Sequence, residues 1–153
     1  MIEVGKKAPA IKLPDSEGNK VSLKDFLGKK VVLYFYPKNM TSGCTQEACE
    51  FGSAFPNFKK LKTTVIGISK DSADKHKKFI EKFDLPFTLL SDENGDVCEK
   101  YGVWKEKSMY GRKYMGIERT TFIIDENGKV EKIFPKVKVN GHVDEVLKAI
   151  KGK

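Results

Sequence analysis

The sequence predicts a single α/β domain over residues 1–153, built on a central mixed sheet flanked by helices. Three observations carry that expectation. Val31-Val32-Leu33-Tyr34-Phe35 is an unbroken apolar run rich in β-branched and aromatic residues, the pattern of a strand buried on both faces. A helical pattern and then a second apolar run, Thr64 to Ser69, follow it, so the two strands are joined by a crossover and lie parallel. Later, Thr120 to Ile124 and Lys129 to Phe134 flank Asp125-Glu126-Asn127-Gly128, a hairpin signal because Asn-Gly tolerates positive φ.

At the amino terminus, Pro9 to Leu13 reads as extended, Asp15 to Asn19 as a turn and Lys20 to Leu23 as a short return strand, together an added hairpin. Asp25 to Gly28 is a turn. After the central strand, the break from Pro37 to Gly43 leads into a helix from about Cys44 to Leu61. Its Ala48, Phe51, Phe55 and Phe58 share one face, and Pro56 marks a kink or an early end. Ser72 caps the next helix, whose apolar positions Phe79, Ile80 and Phe83 fall within a lysine-rich pattern. Pro86 to Leu90 gives a third strand, and Asp96 to Tyr101 a short helix stopped by Gly102. Trp104 to Gly116 lacks periodicity and reads as a loop, and a helix from about Val143 to Ile150 closes the chain. The order βαβ, antiparallel hairpin, terminal helix is that of a thioredoxin-like sheet with an added amino-terminal β-hairpin.

The formal charge of +8 comes from 29 basic and 21 acidic residues. The lysines are spread along the chain and interleaved with carboxylates, which argues against a nucleic-acid surface. Every basic residue except Arg112 and Arg119 is a lysine, so an arginine marks a place that needs a guanidinium fork, and this points at Arg119. No run reaches the length of a membrane span, and Met1-Ile2-Glu3-Val4-Gly5 lacks the basic-then-apolar layout of a signal peptide. We therefore expect a cytoplasmic chain with no membrane association. In that reducing compartment the three cysteines are not expected to form a structural framework, and a bond between two of them would be transient and catalytic.

Cys44 falls just past the end of the central strand, at the start of a helix. A thiol attacks only as thiolate, and at an ordinary pKa near about 8.5 it is mostly protonated at neutral pH. The first turn of a helix contributes about 0.3–1 kcal/mol at exposed sites, less than one pKa unit, so a cation is also needed. Arg119, at the start of a core strand, is the candidate; its guanidinium keeps its proton and can donate to an oxygen-bearing substrate. Thr41 can direct its hydroxyl at the same place, and Pro37 ends the strand and limits solvent on one side of the thiol. Taken singly, a threonine or proline at such a junction is more often capping or turn chemistry.

The two helical cysteines impose a mechanical condition. Residues five apart on an ideal helix have Cα atoms about 8.7 Å apart, whereas a disulfide needs less than about 7 Å. If Cys44 and Cys49 lie in one intact helix, their bond cannot form until part of that helix unwinds, and Ser42, Gly43 and Gly52 lower the cost.

The pattern Pro37-x-x-x-Thr41-x-x-Cys44 resembles the active-site signature of the peroxiredoxins. Glu47 and Cys49 follow the cysteine, and TLLSDENGDVCEKYGVW, GIERTTFIID and the final helix resemble the bacterioferritin-comigratory or Q-type branch, over most of the chain from Pro9 onward. The resemblance implies a thiol peroxidase acting on hydrogen peroxide and organic hydroperoxides, with Cys44 as the peroxidatic cysteine. It also implies that Thr41 and Arg119 bind the peroxide, that Pro37 shields the sulfur and that Glu47 holds Arg119. Cys49 would be the resolving cysteine, closing a disulfide with Cys44 that thioredoxin or a similar dithiol reduces. No cofactor or metal is implied, and the chain would be a monomer. The sequence departs from the branch at Ser42, where proline is common, and at Asn39-Met40, which we expect to alter loop stiffness and leave the reaction intact.

The remaining chemistry-bearing residues read blandly. Cys98 is expected to be a buried, inert thiol, His76 solvated, and His142 a capping or exposed residue. Their spacing is not that of a zinc site. Trp104, Tyr110 and Tyr114 fit either a partner surface or a packed loop. Two other classes share the architecture. A thiol-disulfide oxidoreductase normally separates its cysteines by two residues, where four intervene here; a Sco-like copper carrier separates them by three and leaves Pro37, Thr41 and Arg119 unexplained.

Overall fold

The alternation of side chains along the central apolar run decides the architecture. Val32, Tyr34 and Tyr36 enter one hydrophobic cluster and Val31, Leu33 and Phe35 another, so the strand carries a core on each face. Fully burying one such side chain contributes about 1.5–3 kcal/mol, which holds this strand at the middle of the sheet.

The computed structural model describes residues 2–152. In chain order its elements are β1 (Lys12–Pro14), β2 (Lys20–Ser22), a 3-10 turn (Leu23–Phe26), β3 (Lys30–Phe35), α1 (Ser42–Ser53), α2 (Phe55–Lys60), β4 (Thr63–Ser69), α3 (Ala73–Phe83), β5 (Thr88–Ser91), α4 (Asp96–Lys100), β6 (Trp104–Met109), β7 (Arg112–Ile117), β8 (Thr120–Ile124), β9 (Val130–Phe134) and α5 (His142–Lys151). The central sheet runs β5-β4-β3-β8-β9. β3, β4 and β5 are parallel, β8 pairs antiparallel with β3, and β9 pairs antiparallel with β8. Residues of α1, α2, α3 and α5 fill one face; α4 and the amino-terminal segment cover the other. The mixed thioredoxin-like sheet is as expected, with β1 and β2 forming the separate amino-terminal hairpin. Gly128 closes the β8–β9 turn at φ +81°, the conformation the Asn-Gly pair foretold.

Three expectations need correction. The helix foreseen from about Cys44 to Leu61 is two helices: α1 stops at Ser53, and Pro56 sits in the first turn of α2, where its missing N–H costs nothing. Trp104 to Gly116 is not a loop but lies in the β6–β7 hairpin, turned at Tyr110 (φ 52°) and Gly111 (φ 79°). Both strands are solvated along most of their length, so they show no alternation of apolar and polar residues. The third strand begins at Thr88, two residues after Pro86.

Candidate active site

α1 begins directly beyond the loop that leaves β3, with Thr41 as its N-cap in extended conformation and Cys44 as its third residue. No acidic side chain occupies its first turn, so its positive end is not neutralised locally. Glu47 and Ala48 follow on the inward face with Phe51, which stacks on Tyr34 of β3 at a ring separation of 4.6 Å. That packing holds the helix against the sheet.

Arg119 lies between β7 and β8 and reaches the same point from the opposite side of the chain. Its Nη2 donates to Cys44 Sγ at 3.3 Å and its Nη1 to Glu47 Oε1 at 2.6 Å. One planar guanidinium thus bridges the buried thiol and a buried carboxylate, a task a lysine ammonium cannot perform with fixed geometry. Burial works against the charge on Arg119, but the Glu47 carboxylate and the Cys44 sulfur outweigh it and hold the guanidinium above its ordinary range. Glu47 is itself pushed up to about 7 by burial, with Arg119 pulling the other way. Its second oxygen, Oε2, has no hydrogen-bond partner among the described residues, so a proton can reside there without breaking the Arg119 contact. Gly43 makes room: a Cβ there would stand 3.3 Å from Arg119 Nη2.

The remaining residues named from sequence are distributed as follows. Cys49 is half-buried in the same unbroken helix as Cys44, and both are free thiols. Burial first and then Glu50 raise the Cys49 pKa. Pro37 is half-buried at the strand exit. Thr41 is exposed, and its hydroxyl donates to the Lys38 carbonyl at 3.0 Å, closing a turn over Lys38 to Thr41. Cys98 is buried, as foreseen. A groove of about 840 Å³ is lined by β1, β2 and residues of α4, and none of the cysteines lines it.

Both histidines are corrections. His76 is fully buried, held between Asn39 Nδ2 at 3.0 Å and the Leu90 carbonyl at 3.0 Å. His142 is buried at the start of α5, between Thr121 Oγ1 at 2.8 Å and Glu145 Oε1 at 2.9 Å, where it ties α5 to β8. The signal was present: His76 precedes Phe79 by three and Phe83 by seven, and His142 precedes Val146 by four, so each continues its helix's apolar stripe. Lys107 on β6 is a further neighbour that the sequence reading missed. Burial and then the charge of Arg119 lower its pKa, while Cys44 and Glu118 oppose them.

With that geometry in place, the comparisons are specific. The chain belongs to the AhpC/TSA family, whose pattern matches residues 4–133. Within the family its relatives are peroxiredoxins of the bacterioferritin-comigratory branch. It is 56% identical to the putative peroxiredoxin Bcp of Coxiella burnetii, over 95% of this chain and 97% of that one. To peroxiredoxin Bcp of Bacillus subtilis it is 50% identical, over 98% and 96%. The solved structure of the bacterioferritin comigratory protein of Xanthomonas campestris, a protein described for alkyl peroxide reduction, superposes with a TM-score of 0.91 at 38% identity and covers 98% of each chain. The resemblance read from the sequence, the thioredoxin-like fold and the thiol-peroxidase class are all borne out. No helix among the described residues is long and apolar enough to cross a membrane.

Proposed function

We propose that this peroxidase reduces hydrogen peroxide and organic hydroperoxides through Cys44, resolves the product as a disulfide with Cys49, and is recycled by thioredoxin, acting as a cytoplasmic monomer. The observation that carries the reading is the single guanidinium of Arg119 between Cys44 Sγ at 3.3 Å and Glu47 Oε1 at 2.6 Å. The Cys44 thiolate attacks one peroxide oxygen, an S–O bond forms as the O–O bond breaks, and the departing oxygen takes a proton to leave as water or alcohol. Arg119 stabilises first the anionic sulfur and then the charge that develops on the leaving oxygen. Glu47 keeps the guanidinium aimed. Pro37 shields the sulfur, and Thr41 offers its hydroxyl to the peroxide after exchanging its Lys38 partner.

The sulfenic acid on Cys44 then reacts with the Cys49 thiol, releasing water. Both residues sit in α1, and intact helical geometry keeps their Cα atoms about 8.7 Å apart, so the first turns of α1 open before the bond closes. A dithiol reductant returns both cysteines to thiols through a mixed disulfide.

Peroxide consumption with thioredoxin and its reductase tests this in three proteins. Cys44→Ser abolishes turnover, and Cys49→Ser completes one round of peroxide reduction without thioredoxin-supported cycling. Turnover by Cys44→Ser would overturn the assignment.

A further inference from the structure

The loop that delivers Cys44 is held by a buried polar cluster that the reaction does not use. Among residues 37–43 only Asn39 is buried, at 6% exposure. Its backbone N–H donates to Asp71 Oδ2 at 2.9 Å, and the same carboxylate oxygen accepts from Ser69 Oγ at 2.7 Å. Its side chain joins Tyr36 Oη at 2.6 Å and His76 Nδ1 at 3.0 Å.

The direction of these bonds follows from one end. The Leu90 carbonyl can only accept, so His76 carries its proton on Nε2 and presents a lone pair at Nδ1. Asn39 Nδ2 donates to that lone pair, which turns Asn39 Oδ1 toward Tyr36 and makes the tyrosine hydroxyl the donor. Every member has the partner its chemistry requires, as a buried network must to be worth its desolvation.

The position of this cluster gives it leverage. Asn39 and Met40 are the two central residues of the turn closed by Thr41 and Lys38. Met40 adopts φ 67°, a left-handed conformation that a methionine takes only when its surroundings impose it. Thr41 is next, as the N-cap of α1, and Cys44 is in the first turn. The placement of Asn39 therefore sets where α1 starts, and with it the alignment of Sγ with Arg119.

We propose that Asn39 and His76 are positioning residues that latch the turn before Cys44 to α3 and so hold the sulfur in register with Arg119. The inference rests on Cys44 being the attacking thiol. Because it concerns the loop and not the nucleophile, it can fail while Cys44→Ser still abolishes turnover.

The test uses the two amides that imitate the two halves of an imidazole. At position 76, asparagine places an oxygen near where Nδ1 stood and keeps an acceptor for Asn39, whereas glutamine reaches the Nε2 position and keeps a donor for Leu90. The readout is the second-order rate of Cys44 oxidation by peroxide in the reduced full-length protein, followed by the rate of disulfide closure with Cys49. Asn39→Ala and His76→Gln are expected to slow oxidation about tenfold, roughly the effect of one buried hydrogen bond, with the KM for thioredoxin unchanged. His76→Asn retains most of the rate, and Asn39→Ala adds little further loss in the His76→Gln background. A merely structural histidine would make both amides lose stability and rate together. Equal rates for His76→Asn and His76→Gln, or a wild-type rate for Asn39→Ala, would overturn the proposal. Should neither histidine variant fold, Asn39→Ala on the loop decides it alone.

Discussion

Cys44 and Cys98 begin from the same local structure and meet groups of opposite charge. Each is the third residue of a helix, and they are 1% and 0% exposed respectively. The difference lies in what meets the helix start. In α4 the carboxylate of Asp92 accepts from the amides of Val97 at 3.3 Å and Cys98 at 2.7 Å, so the positive helix end is matched by an anion beside the thiol. Burial pushes the Cys98 thiol far up, the hydrogen bond and charge of Asp92 add to it, and Lys70 offsets only part. In α1 a guanidinium donates to the sulfur instead. If Cys44 is the nucleophile we propose, a helix N-terminus and a buried cysteine are insufficient for that role, and the sign of the third group separates the two sites.

The sharpest way to break the contrast is to blunt that third group. Arg119→Lys keeps the charge but cannot bond Cys44 and Glu47 in one rigid fork. Stopped-flow oxidation by peroxide should slow by about 10²–10³-fold, the usual loss when a preorganised donor is removed from a developing oxyanion. A loss below about tenfold would mean that charge alone suffices.

Glu47→Gln is gentler, because the amide oxygen still accepts from Arg119. The charge-assisted bond becomes a neutral one, and the peroxide rate should fall about fivefold. Its clearer signature is in stability. Glu47 holds its proton more tightly in the folded chain, with its pKa pushed to about 7, than in the unfolded one. That contribution is fully present below the ordinary carboxylate pKa and is lost as pH rises through about 7. Between about pH 5 and pH 8 the wild type should lose on the order of 2 kcal/mol relative to Glu47→Gln in urea unfolding. A constant difference across that range would place the carboxyl proton elsewhere.

The same contrast explains how much could be read in advance. The continuous run at Val31 to Phe35 announced a strand with two cores, and the Asn127-Gly128 pair announced its turn, because burial on both faces and positive φ each demand particular residues. Arg119 stood out because guanidinium is scarce in a lysine-rich chain, and the structure puts it on Cys44. The β6–β7 hairpin was invisible because its strands bury almost nothing, so no alternation was written into them. His76 and His142 were misread because neighbouring lysines and caps suggested solvent, although both lie on apolar stripes. Asn39 was legible only as a departure from the family loop. Beside Tyr36, its partners are Asp71 and His76, more than thirty residues away, and local pattern carries no trace of those two.

Cys98 supplies the smallest effect and closes the contrast. It belongs to the hydrophobic cluster with Leu33, Phe35 and Phe122, whereas Cys44 belongs to the cluster with Tyr34, Tyr36 and Phe51. Those clusters lie on opposite faces of the central sheet, so no local opening of α1 brings Cys98 within the roughly 7 Å that a disulfide requires. Cys98→Ala should leave thioredoxin-supported turnover within about twofold of wild type and cost about 1 kcal/mol of stability, the value of a small buried group. In the reduced wild type, iodoacetamide should label Cys44 and Cys49 under native conditions and reach Cys98 only at denaturant concentrations that unfold the sheet. Loss of cycling in Cys98→Ala would make it a second resolving thiol, and would require the central sheet itself to open during each turnover.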